Sequence, residues 1–157
     1  MFRVLLPIDS DAERSLRQVT FVASLPHADT DVEATLLHVF PNEEMAERTT
    51  VDQLAAGRQA HEFLTDRKIT VRSQSRFGDP ATEILHAADD VNADLVVLGG
   101  RKRSPLGSFL FGSVSQSVTL DATRPVTITG GASGPVEPST TDEAAESEAA
   151  ESGDTAA

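Results

Sequence analysis

Two short stretches of this sequence hold residue types that can do chemistry. The first is Pro7-Ile8-Asp9-Ser10, where a carboxylate closes an apolar run. An aspartate between a strand and a helix has two readings. Either it accepts hydrogen bonds from a ribose or holds a metal ion through water, or it caps the helix with Ser10 in support. The second stretch runs from Gly99-Gly100 through Arg101-Lys102-Arg103 to Gly112-Ser113. Glycines after a strand let the backbone approach a ligand closely, because no Cβ intervenes. Gly112-Ser113 opens a helix, whose unpaired N–H groups and positive dipole end favour phosphate. The Ser113 hydroxyl adds a donor, and three basic residues in an otherwise acidic chain suit the same anion. The alternative is a glycine loop with a serine cap and a solvated Arg-Lys-Arg.

These stretches have to be positioned by regular elements, and residues 1 to 129 alternate strand and helix signals. Phe2 to Ile8 is an apolar run fit for a strand covered on both faces. Ser10 can cap a helix with Leu16, Val19, Val22 and Ala23 at helical spacing, stopped by Pro26. Val32 to Phe40 is the second strand, closed by Pro41. Glu43 to Arg67 reads as helix, interrupted near Thr49-Thr50-Val51, with Leu54, Ala55, Ala60, Phe63 and Leu64 inward. Ile69 to Ser75 alternates as a strand. Asp79-Pro80 opens a helix, with aspartate as cap and proline at the first helical position; Ala81, Ile84, Leu85, Ala88 and Val91 form its apolar face. Asp94 to Gly99 is the fourth strand, Ser113 to Leu120 a helix and Pro125 to Thr129 a short last strand. The alternation predicts an α/β fold, a doubly wound five-stranded parallel sheet with helices on both faces, because each crossover must return beside the sheet. Ligands in such sheets sit beyond the carboxyl ends of the strands, where the strand order reverses. Asp9, Val39, Ser75 to Gly78 and Gly99 onward fall at those ends.

Composition narrows the function classes. A chain of 157 residues suits one domain with a full core. The net charge is −12, from 25 acids against 13 bases, which argues against nucleic acid as a partner. Only Lys68 and Lys102 are lysines, and such acid-rich, lysine-poor surfaces resemble those of extreme halophiles. At molar salt the Debye length falls to about 3 Å, so repulsion among surface carboxylates costs little there. The 28 residues from Gly130 to Ala157 contain no Phe, Ile, Leu or base, and hold seven of the acids. Such a segment cannot bury enough apolar surface to offset its ordering entropy, so 130–157 is expected to be a disordered, solubilising acidic tail and 1–129 the folded domain. Cysteine is absent, which excludes disulfides, thiolate catalysis and cysteine-ligated metals, and makes the cytoplasm the simplest compartment. No apolar run reaches membrane-spanning length, and the first one meets Asp9 too soon for a signal peptide. His27, His38, His61 and His86 have no metal-ligand spacing; His38 is expected to pack in strand two and the others to face water.

Asp94-Leu95-Val96-Val97-Leu98-Gly99-Gly100 followed by Gly112-Ser113-Val114-Ser115 resembles the signature loop of the universal stress protein family. Nucleotide-binding members carry glycine, two residues, glycine, nine residues, glycine, then serine or threonine. Gly99 and Gly112-Ser113 fit; Lys102 stands at the second glycine. Pro7-Ile8-Asp9-Ser10, Leu37-His38-Val39, Gly78-Asp79-Pro80-Ala81 and Arg124-Pro125-Val126 are further matches, in order, over residues 2 to 129. The halophile-like composition makes it similar to a haloarchaeal member. The resemblance implies an adenine nucleotide, ATP or AMP with or without Mg2+. Adenine would lie against Val39, with Pro7 and Ile8 at the floor and Asp9 and Gly99 near the ribose. Gly112, Ser113 and Val114 would hold phosphates through their amides. Lys102 would either obstruct the pocket, if bare backbone is needed there, or pair its ammonium with a phosphate. The resemblance also implies a homodimer through residues 125–129.

No nucleophile–base pair is visible, so no enzyme class follows; slow ATP hydrolysis would need a water-positioning base, and Asp9 is the one candidate. Gly-x-x-x-x-Gly-Lys-Ser/Thr and Gly-x-Gly-x-x-Gly are absent. A phospho-receiver would want an aspartate ending strand three and a lysine ending strand five, where Ser75 and Thr129 stand. The expected function is therefore adenine-nucleotide binding in a stress or energy-state response. The alternative is a nucleotide-free dimeric interaction module.

Overall fold

The computed structural model describes residues 1–100 and 112–130. Lys102 and the acidic stretch beyond Gly130 lie outside them. Five strands, β1 (Phe2–Pro7), β2 (Val32–Phe40), β3 (Thr70–Phe77), β4 (Leu95–Gly99) and β5 (Val126–Thr129), pair in parallel in the order β3-β2-β1-β4-β5. The chain winds outward from β1 to β3, then crosses back to add β4 and β5 on the other side. Strand order therefore reverses between β1 and β4, and a crevice opens beyond their carboxyl ends.

The period-two alternation of strand side chains explains why helices cover both faces. Val4 and Leu6 join Leu36 and Val97 on one face, packed with Val19 and Val22 of α1 (Ala12–Ala23) and Ala60 and Leu64 of α4 (Ala55–Asp66). Leu5, Leu37, Val96 and Leu98 point the other way, against Ile84, Ala87 and Ala88 of α5 (Pro80–Asp90) and Val118 of α6 (Ser113–Asp121). Two short helices, α2 (Ala28–Asp31) and α3 (Glu43–Arg48), complete the set among the described residues. No described helix is long and apolar enough to cross a membrane.

Several local expectations need correction. The cap of α1 is Asp11, not Ser10: its carboxylate accepts the Arg14 amide at 3.1 Å. The inward face of α1 is also more polar than its apolar spacing suggests. Leu16 is 52% exposed, whereas Ser15 and Gln18 are buried. The Glu43–Arg67 helix is two helices, divided by a 3-10 turn at Val51–Gln53 close to the anticipated break. That turn shifts the phase of α4, so Ala56 is buried and Ala55 exposed. Leu54 and Phe63 are only partly buried. The four-residue α2, entered from His27 in the left-handed region, has no counterpart in the sequence reading. His61, expected to face water, is half-buried with Nδ1 3.0 Å from Asp52.

Candidate functional site

A cleft of about 310 Å3 opens at the β1/β4 reversal, lined by Pro7, Ile8 and Asp9 after β1, Val39 of β2, Gly99 of β4, and Gly112, Ser113 and Val114 at the start of α6. All eight described site residues of the sequence reading thus lie around one cavity. The cleft is built by cross-links between strand ends. Ile8 donates its amide to the Leu37 carbonyl at 2.7 Å, tying the chain beyond β1 to β2. His38 Nδ1 lies 2.6 Å from the Ile8 carbonyl, which can only accept, so Nδ1 carries the proton. Gln18, buried in α1, donates Nε2 to the Pro7 carbonyl at 2.8 Å and to the Val97 carbonyl at 2.9 Å. One amide therefore bridges β1 and β4 where they diverge.

Three helices begin beside this cleft, and their first turns differ. Asp11 caps α1, and Asp79 caps α5 by accepting the Thr82 amide at 3.0 Å. Both carboxyls are held below their ordinary value, Asp11 chiefly by the Arg14 amide and Asp79 chiefly by the Thr82 amide. Each first turn also carries an acid, Glu13 or Glu83. By contrast, α6 starts at Gly112, which supplies no side-chain cap, and its first turn has no acid. Its leading amides are the ones without a built-in anion.

Arg14 and His38 also line the cleft; Arg14 lies outside the motifs, and His38, inside Leu37-His38-Val39, was expected only to pack in its strand. Arg14 donates NH1 to Asp9, with NH2 3.6 Å from Asp11. Its stem runs across Gly99, where an added Cβ would stand 2.0 Å from Arg14 Cγ. The glycine is needed here for passage of a side chain, where the sequence suggested approach of a ligand. The signal for Arg14 was an arginine five residues after Asp9, one turn into the helix that starts at the cleft. The signal for His38 was its place in Leu37-His38-Val39 at a strand end. Among the described residues no cluster of three or more His, Asp or Glu could hold a metal ion.

A parallel α/β sheet with its cleft at the strand reversal defines a class that many families share. The family model described as universal stress protein family matches residues 1–130, and the chain belongs to that family. A universal stress protein of Mycobacterium tuberculosis is 30% identical over 117 residues, 74% of this chain and 37% of that protein. The chain spans about a third of the length of the curated relatives it matches, 37% and 31% in two further cases. A universal stress protein structure from Archaeoglobus fulgidus is 26% identical with a TM-score of 0.64, covering 82% of this chain and 98% of its own. A universal stress protein from the same organism in complex with dAMP shares the fold at 22% identity and a TM-score of 0.61, covering 82% of this chain and 97% of its own.

Proposed function

We propose that this chain binds an adenine nucleotide, AMP or ATP with Mg2+, in the β1/β4 cleft and uses its occupancy to report stress or energy state. Adenine lies against Val39, the ribose beside Asp9 and Gly99 over Pro7 and Ile8, and the phosphates on the amides of Gly112, Ser113 and Val114. One observation carries the reading: among the described residues, α6 is the one of the three helices at the cleft that starts with neither a side-chain cap nor an acid in its first turn, and its first residues line the cavity together with the other site residues. A volume of about 310 Å3 is at the small end of ligand pockets, about 300 to 1,000 Å3, which suits a mononucleotide. The dAMP complex of a protein with this fold supports the ligand class. The test is a thermal-shift panel with ATP, AMP, adenosine and GTP, together with mass spectrometry of nucleotide released on denaturation. Adenine nucleotides should raise the melting temperature most. A chain that carries no nucleotide and responds to none at millimolar concentration is instead an interaction module.

The same reading includes a homodimer through residues 125–129. Its support is that β5 ends the sheet with no further strand beyond it among the described residues, beside a groove lined by the exposed Leu16 and the half-buried Thr127 and Ile128. Light scattering should give twice the chain mass, falling toward one chain in Ile128→Glu. A folded wild-type monomer would end the dimer proposal and leave the nucleotide reading intact.

A further inference from the structure

We infer that Arg14 is the charge-selecting residue of the cleft: it takes a phosphate monoester borne by the ribose, with Asp9 as its partner when no ligand is bound. This rests on the nucleotide reading above. Among the described residues lining the cleft, Arg14 is the one that carries a guanidinium or ammonium group. Stability of α1 does not account for it. Arg14 lies in the first turn, where the helix dipole disfavours a cation, and two carboxylates are needed to offset that placement. Its position is nevertheless built, because the stem passes over Gly99 at a distance that no side chain at 99 would allow.

The guanidinium is only partly satisfied. NH1 meets Asp9, NH2 stands beyond hydrogen-bond distance of Asp11 at 3.6 Å, and Nε is buried without a hydrogen-bond partner among the described residues. A buried donor of this kind is unfavourable until an acceptor arrives. Asp9 is a replaceable partner, since its side chain is 47% exposed and exposed ion pairs are weak. A phosphate presents more charge and three oxygens to a planar fork suited to bidentate contact, so it displaces a half-solvated carboxylate. Asp9 is then released toward the ribose hydroxyls. The recognised chemistry is the monoester itself, whether it sits on the 5′ or the 3′ oxygen.

Calorimetry with adenosine, adenosine 5′-monophosphate and adenosine 3′-monophosphate tests this on the full chain. Arg14→Gln should lower the affinity of at least one monophosphate, relative to adenosine, by about tenfold, the loss of one charged hydrogen bond. The isomer that loses more identifies the oxygen. Arg14→Lys should retain part of that preference, and Asp9→Asn, which frees the guanidinium, should increase it. A merely structural arginine would lower the melting temperature of the ligand-free chain and weaken all three ligands alike, and that result overturns the inference. An unchanged monophosphate-to-adenosine ratio in Arg14→Gln overturns it too, with the nucleotide reading standing. A wild-type chain that binds none of the three removes both.

Discussion

The starts of α1 and α6 face the same cleft and are finished in opposite ways. In α1, Asp11 takes the Arg14 amide, Glu13 adds a second acid, and Asp9 accepts the Asp11 amide at 2.8 Å. In α6, Gly112 offers no side chain and the first turn, Ser113-Val114-Ser115, no charge. Helix starts leave amides that must find an acceptor. Among the described residues, the chain supplies its own anion to α1 and none to α6. On the proposed reading, the contrast is what would let a cleft in an acidic protein receive phosphate: the carboxylates at the cleft serve the neighbouring helix.

The comparison breaks most directly if α6 is finished like α1. Gly112 has φ −67° and ψ 158°, a conformation open to any residue, so Gly112→Asp introduces a cap without backbone strain. Two charged hydrogen bonds to phosphate are then lost, and AMP affinity should fall about a hundredfold by calorimetry. The ligand-free melting temperature should hold or rise slightly. Unchanged affinity would mean that α6 does not receive the phosphate. Next in size is Gln18→Leu, which removes the amide bridging β1 and β4 and leaves two carbonyls without that donor. Denaturant unfolding should show a loss of about 1 to 3 kcal/mol; a neutral result would mean that the cleft floor does not depend on that bridge. Ser113→Ala should lower AMP affinity about tenfold if its hydroxyl serves a charged oxygen. Equal loss for adenosine would argue against that role.

The smallest effect concerns α1. The folded-state value of Asp11 lies below the ordinary 3.8, so its contribution is complete above that value and disappears as pH falls through the depressed one. Asp11→Ala should cost about 1 kcal/mol at neutral pH, the usual worth of such a cap. In melts, the gap between mutant and wild type should begin to narrow below pH 3.8 and close once pH has fallen past the depressed folded-state value. A gap that persists in acid would assign the loss to something other than the ionised cap.

Backbone order was legible in the sequence because it rests on strong local signals. Pro41 closes β2, Asp79-Pro80 opens α5, and strands covered on both faces read as continuous apolar runs such as Leu95 to Leu98. The misread parts are those set by contacts across the chain. Ser10 and Asp11 are both good caps, and the choice falls to Asp11 because Asp9 binds its amide and delays the helix start by one residue. Leu16 looked like core, yet α1 turns Ser15 and Gln18 inward, where Gln18 finds the carbonyls of Pro7 and Val97, 11 and 79 residues away. Arg14 and His38 join the cleft through Asp9 and Ile8, and no periodicity encodes those partners.

Amide chemical-shift mapping of the isotopically labelled chain, titrated with AMP to millimolar concentration, tests the central claim most directly. The account predicts the largest shifts at the amides of Gly112, Ser113 and Val114, with smaller ones at Ile8, Asp9, Val39 and Gly99 around the same cleft. Shifts confined to the groove between α1 and β5, or a titration that moves no amide, would contradict it.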